Sequence, residues 1–249
     1  MNRYQEPIII LVHPQLGENI GATARAMLNC GLTKLRIVKP RDGWPNSKAI
    51  RASSGAESII HNAGIYLNSK DAVSDLNYLV ACTSRKRDLR KKQLDIGNVI
   101  NELFDKSFGN FHCGIMFGNE SSGLSNDDLD FADVLLSIPT NNEFTSLNLS
   151  HAVLIVCFQW MIKFQSKNIS ANFELEEPSE MLAKKSDLSQ FFDHLESDLE
   201  RGGFLYPPEK APKMIKNLRS IFIRSNLNEQ EVKTLRGVIS ALKRAGKSV

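Results

Sequence analysis

The feature that most restricts how this chain can fold is a series of short apolar runs separated by helix-like segments, all within the first 165 residues. Residues 7–12 (PIIILV), 35–38 (LRIV), 78–82 (YLVAC), 114–117 (GIMF) and 134–138 (VLLSI) read as strands. Residues 20–30, 48–60, 96–104 and 149–164 carry helical patterns. Continuous apolar strands need cover on both faces, and strands linked through helices run parallel. The expected fold class is therefore α/β, a parallel sheet with helices on either side.

Residues 166–186 change character, being polar, acidic and broken by Pro178, as a linker is. No strand pattern returns after them. Residues 187–201, 212–225 and 228–244 read as helices. Asn228 and Glu231 have the spacing of a capping box, and Val232, Leu235, Val238, Ile239 and Leu242 fall on one apolar stripe. The expected organisation is an α/β domain over residues 1–165, a linker over 166–186 and a helical extension over 187–249.

Hydrophobic residues at 42% and charged residues at 24% exclude a disordered or fibrous chain. The four cysteines (Cys30, Cys82, Cys113, Cys157) form no C-x-x-C pair, which argues against a disulfide framework or a zinc knuckle and fits a reducing compartment. The first apolar run ends at Pro14, too short for a signal peptide, and residues 152–162 fall short of the ~20 that span a bilayer. A soluble cytoplasmic protein with no membrane partner is expected.

The net charge of +3 is unevenly spread. Residues 201–249 hold eleven Lys or Arg against three acids, whereas residues 172–200 hold nine acids against two Lys. Residues 84–92 (SRKRDLRKK) pack six bases into nine positions. Such concentrations attract phosphate backbones, although on charge alone a solvated face is the favoured reading.

No G-x-G-x-x-G follows the first strand, there is no G-x-S-x-G elbow, and Gly246-Lys247-Ser248 lacks the rest of a P-loop. The five histidines show no metal-ligand spacing, so structural or surface roles are expected and no metal is. Three unusual polar segments remain, each placed after a strand. In the first, NIGATAR, Asn19 is placed to cap a helix that Gly31 closes, with Arg25 further along it. In the second, FGNESSGL, glycines permit close backbone approach, and turn chemistry alone does not call for Glu120. In the third, IPTNNEFTSLNLS, either Ser146 or Asn148 can cap the following helix. Each segment has an ordinary explanation as capping or turn chemistry. Their convergence at strand ends, where open α/β sheets bind ligands, is the stronger signal.

The segments NIGATARAML, CGIMFGNESSGL and IPTNNEFTSLNLSHAV resemble, in order and spacing, motifs one, two and three of the SpoU-type RNA ribose 2′-O-methyltransferases of the SPOUT superfamily. The C-terminal stretches RGGFLYPPEKAPKMIKNLRSIF and NEQEVKTLRGVISALKR resemble the helical extension of the TrmJ branch, which acts on tRNA at nucleotide 32, the first of the anticodon loop. Two positions depart from the family pattern: Asn119, where Arg is common, and Arg85, where a small residue is common.

The resemblance implies a trefoil-knotted catalytic domain that uses S-adenosyl-L-methionine, and an obligate homodimer in which Arg25 of one subunit completes the other's active site. It implies Arg25, Asn19, Glu120, Ser146 and Asn148 as catalytic residues. Thr83, Ser84, Arg85, Gly118, Ile138, Thr145, Ser146 and Leu147 are the implied cofactor binders. The basic extension would grip tRNA, or pack a dimer through Phe191, Phe192, Phe204, Ile221, Phe222 and Ile223. Two other functions fit the same residues: 2′-O-methylation of another tRNA position or of rRNA, and RNA binding without catalysis.

Overall fold

Residues alternate along the central strands between two apolar layers. Ile9, Leu11, Ile37, Val80 and Ile115 are buried in one, and Ile10, Val12, Val38, Leu79 and Met116 in the other. This alternation, in a computed structural model that describes residues 4–84, 91–107, 111–141, 143–169 and 182–245, defines a sheet covered on both faces. Its strands are β1 (Ile8–Val12), β2 (Leu35–Val38), β3 (Gly64–Tyr66), β4 (Tyr78–Cys82), β5 (Lys92–Leu94), β6 (Cys113–Phe117) and β7 (Val134–Leu136). All their pairings are parallel, in the order β3-β2-β1-β6-β4-β7-β5. Two late strands are thus inserted between earlier ones, β6 between β1 and β4, and β7 between β4 and β5.

The helices of this domain are α1 (Gly17–Asn29), α2 (Ser47–Ser53), α3 (Glu57–His61), α4 (Ser69–Val73), α5 (Ile96–Ser107), α6 (Asn126–Asp130) and α7 (Leu149–Ile169). The fold class is the α/β architecture that the apolar runs predict. Strands β3 and β5 escape the sequence reading because they are three-residue edge strands with little buried side chain.

Helix α1 starts earlier than expected. Leu16, not Asn19, is its N-cap residue, and it offers no side-chain cap. A Cβ at Gly17 would overlap the Asn46 side chain, and one at Gly21 the Ala49 carbonyl and Ala52, so both glycines let α1 lie close to α2. At the other end Gly31 adopts φ +75°, its N–H reaching the Leu28 carbonyl and that of Leu32 reaching Met27, the left-handed closure expected of it.

The stretch expected as a linker is helical up to Ile169, and helix resumes at Lys185, with residues 170–181 outside the described ones. Helices α8 (Lys185–Arg201), α9 (Ala211–Arg224) and α10 (Glu229–Ala245) form a module with its own apolar cluster. The Asn228–Glu231 capping box is reciprocal, at 2.8 and 2.7 Å. Of the six residues expected at a dimer contact, Phe191, Phe192 and Ile223 are buried in the cluster and Phe222 packs against it, whereas Phe204 and Ile221 are exposed. On α10, Val232 is buried and Leu235 and Ile239 pack on the cluster, while Val238 and Leu242 turn outward, splitting the expected stripe.

The module is fastened to the sheet through Lys185. Its ammonium lies 2.5 and 2.6 Å from the two oxygens of Asp133, and the two side chains are 5% and 7% exposed. Asp133 also accepts the Leu79 N–H, while the backbone N–H groups of Lys185 and Ser186 donate to the carbonyls of Leu76 and Ser74. Nearby, Lys91 donates to the carbonyls of Asp130 and Ala132 at 2.9 and 2.6 Å. Burial pulls its pKa down to about 8, against the opposing pull of Asp133 and Asp130.

Removing one member of a buried ion pair leaves the other uncompensated. Asp133→Ala is therefore expected to destabilise the protein by roughly 3–5 kcal/mol in urea unfolding, and Asp133→Ala/Lys185→Met by much less. Lys91 carries a second consequence. Its folded pKa lies below the ordinary 10.5, so between about pH 8 and 10.5 the unfolded chain holds more protons and stability rises with pH. Unfolding free energies measured across that window should show this upward slope in the wild type, and Lys91→Met should flatten it.

Candidate active site

Because every strand runs the same way, the loops that leave their C-terminal ends share one edge of the sheet. The loop after β6 is shaped from within. A Cβ on Gly118 would overlap the backbone of Gly123 and Leu124, and Gly123 takes φ +69°. The Asn119 Oδ1 accepts the backbone N–H and hydroxyl of both Ser121 and Ser122, at 2.7–3.0 Å. Asn119 thus serves the shape of the loop.

Glu120 leaves this loop to hold the one after β1. Its carboxylate accepts the Gln15 N–H at 2.8 Å, the Leu16 N–H at 3.3 Å and the Asn19 Nδ2 at 2.7 Å. The Asn19 Oδ1 in turn accepts the Asn148 Nδ2 at 3.0 Å. Asn148 caps α7, its Oδ1 accepting the N–H and hydroxyl of Ser150 at 2.9 and 2.7 Å. The three polar segments are therefore joined in one hydrogen-bonded chain, and Asn19 is its middle link.

Two cavities flank that chain. The first, of about 410 Å³, is lined by Thr83, Ser84, Gly118, Ile138, Thr145, Ser146 and Leu147 among others, seven of the eight positions expected to hold the cofactor. The eighth, Arg85, lies outside the described residues. Cys82 also lines it, with burial pushing its thiol up to about 12, so it is not a nucleophile at neutral pH. The second cavity, of about 710 Å³, is lined by Asn19, Glu120, Ser146 and Asn148, and also by Phe144 and His151. Glu120, Ser146 and Leu147 belong to both walls.

Arg25 is not brought into either cavity. It is exposed on α1, six residues beyond Asn19, hence about 9 Å further along the helix axis. The sequence reading treated His151 as structural or superficial and passed over Phe144 and Gln15. His151 gains its place from the first turn of α7, which Asn148 starts, a position visible only once that cap is known. No group of three or more His, Cys, Asp or Glu placed to hold a metal occurs among the described residues, and none of their helices is long and apolar enough to cross a membrane.

An α/β sheet with late-inserted strands and a two-part crevice at its C-terminal edge is the framework of one class of RNA-modifying enzyme. The chain belongs to the SpoU rRNA methylase family, whose model matches residues 6–158. Residues 186–248 match the model of the C-terminal domain of tRNA methyltransferase TrmJ. The chain is 33% identical over 236 residues to the tRNA (cytidine/uridine-2′-O-)-methyltransferase TrmJ of Pectobacterium atrosepticum, covering 95% of this chain and 96% of that one. It superimposes on the crystal structure of TrmJ from Z. mobilis ZM4 with a TM-score of 0.84 at 37% identity, covering 96% of this chain and all of the other. The SpoU methyltransferase AviRb from Streptomyces viridochromogenes, solved in complex with AdoMet, shares the fold at 20% identity and a TM-score of 0.52, over 67% of this chain and 60% of that one.

The hydrogen-bonded chain makes its members interdependent. Groups in one network typically couple by about 0.5–3 kcal/mol, so Glu120→Gln and Asn19→Ala together should cost less stability than the sum of the two alone. A double-mutant cycle in urea measures this, and strict additivity would disconnect the two residues.

Proposed function

We propose that this chain transfers a methyl group from S-adenosyl-L-methionine to a ribose 2′-hydroxyl of tRNA in the cytoplasm, at nucleotide 32. The observation that carries this reading is the pair of cavities with a common wall of Glu120, Ser146 and Leu147, one for the donor and one for the acceptor nucleotide. The first has the size of a cofactor site and mixes apolar walls (Ile138, Leu147) with the hydroxyls of Thr83, Ser84, Thr145 and Ser146, which suits a molecule with an adenine, a ribose and a charged amino-acid end. When bound there, S-adenosyl-L-methionine supplies a methyl carbon already activated by its sulfonium.

The protein's part is then placement. A ribose hydroxyl is a weak nucleophile, and holding it in line with the methyl carbon can be worth about 7–11 kcal/mol. Asn19 and Asn148 fix the acceptor wall, and Glu120 holds the loop that carries Asn19. Arg25 stabilises negative charge on the oxygen as its proton passes to solvent water; a guanidinium stays protonated in proteins and does not act as the base.

Arg25 acts in the neighbouring subunit of a homodimer. The exposed Leu154, Phe158 and Ile162, one face of α7 at four-residue spacing, and the exposed Leu28 of α1 and Leu16 just before it support such an interface, since α1 and α7 pack side by side. The threaded chain of a trefoil knot belongs to the same proposal, and the insertion of β6 and β7 between earlier strands supports it. So does the division into a methyltransferase domain (1–165) and a helical extension (187–249), supported by the module's separate apolar cluster.

Purified protein is expected to transfer labelled methyl to tRNA. Arg25→Ala should abolish transfer with S-adenosyl-L-methionine affinity retained in calorimetry. Mixing Arg25→Ala with Ser146→Ala should restore activity that neither has alone, because one site of the mixed dimer is intact. Ribose-methylation mapping in a deletion strain should lose the methyl at nucleotide 32. Loss at another tRNA position or in rRNA redirects the substrate, and absence of cofactor binding identifies an RNA-binding homologue without catalysis.

A further inference from the structure

Five cations of the basic helical module are held by carboxylates. Arg219 is bound to both oxygens of Glu196 at 2.6 and 3.0 Å, Lys243 to Asp198 at 2.9 Å, and Arg201 to Asp198 at 2.6 Å. Lys233 pairs with Glu229, and Lys216 lies 3.9 and 3.7 Å from Asp127 and Asp130 across the boundary with α6. Lys210 and Lys213, by contrast, are exposed, with no side-chain hydrogen bond or ion pair to any described residue.

Those two lysines follow directly on an exposed aromatic pair. Helix α8 closes at Gly202 and Gly203, with the Gly203 N–H on the Glu200 carbonyl and the Phe204 N–H on the Leu199 carbonyl. After such a closure the next apolar residue usually folds onto the last turn. Here Phe204 is 51% exposed and Tyr206 76% exposed, while Leu205 between them is half-buried. Pro207 and Pro208 restrict the backbone, so the rings are presented at small entropic cost.

We propose that this connection between α8 and α9 is an RNA-contacting surface, on which an unpaired base stacks against Tyr206 beside Phe204 and the adjoining phosphates face Lys210 and Lys213. Aromatic faces accept any base, and ammonium groups without internal partners are free to replace phosphate counterions. Lysine is depleted from protein–protein interface cores, so two exposed lysines in the residues that follow the rings favour RNA over a second copy of the chain. The inference rests on the tRNA reading above and assigns part of that recognition to a surface outside the crevice.

The test measures tRNA affinity of the full-length protein by fluorescence anisotropy at several salt concentrations. Tyr206→Ala should weaken binding about 5- to 150-fold, with Tyr206→Phe close to wild type, as loss of one stacked base predicts. Lys210→Gln/Lys213→Gln should flatten the slope of log affinity against log salt by about 1.4, the value for two single-strand phosphates. The KM for tRNA should rise in both, with kcat at saturation and calorimetric S-adenosyl-L-methionine affinity unchanged, which also reports an intact fold. Wild-type affinity and salt slope in both variants would overturn the proposal, as would a change in sedimenting mass in place of tRNA affinity, which would mark a contact between copies. Failure of the wild type to bind tRNA would overturn the tRNA reading, and this surface with it.

Discussion

The carboxylate of Glu120 is the tie on which the crevice depends. Three donors from the segment after β1 converge on it, two of them backbone N–H groups, and charge-assisted bonds of this kind are about twice as strong as neutral ones. A parallel sheet brings its C-terminal loops to one edge but leaves their mutual spacing loose. Glu120 sets that spacing between two loops, and Asn19 passes it to the third through Asn148. With its oxygens engaged in this way, Glu120 holds two loops together, and on the proposed reading its importance to a reaction would come from the wall it keeps in place.

Sequence charge and surface charge part company in the helical module. Read along the chain, an acidic stretch precedes a strongly basic one, which suggests a basic face for a nucleic acid. In three dimensions the two stretches lie against each other: Glu196 and Asp198 of α8 take up Arg219 of α9 and Lys243 of α10. The Lys243 ammonium, hydrogen-bonded to Asp198, leads the interactions that hold that carboxyl below its usual range. Net charge therefore overstates what the surface offers, and the cations that matter for a partner are those the fold leaves unpaired.

The central strands were legible because burial on both faces leaves an unbroken apolar run, as in IIILV and YLVAC. The edge strands were not, since GIY and KQL bury too little to leave a pattern. Glu120 stood out because a turn of glycines and serines has no need of a carboxylate. Asn19 was misplaced for a related reason: the oxygen that makes asparagine a good cap also makes it a good link between side chains, and only the start of α1 at Gly17 separates the two uses. Asn119 and Asn148 show the same ambiguity resolved in other ways, one shaping its own loop and the other serving as cap and link together.

One property of the crevice extends beyond the single chain. The described residues that line the second cavity include a carboxylate, three asparagines, a threonine, a serine and a histidine, but no lysine or arginine. Negative charge growing on a ribose oxygen next to Glu120 would meet a neighbour of the same sign, the opposite of what stabilises such a transition state. On the proposed reading, a fixed positive charge has to come from beyond that described lining. Arg25 is exposed and unpaired among the described residues, on a helix packed beside α7, and on the same reading a second copy would deliver it. Dimerisation would then supply a charge that the described lining of that cavity lacks, making activity depend on assembly and not on stability alone.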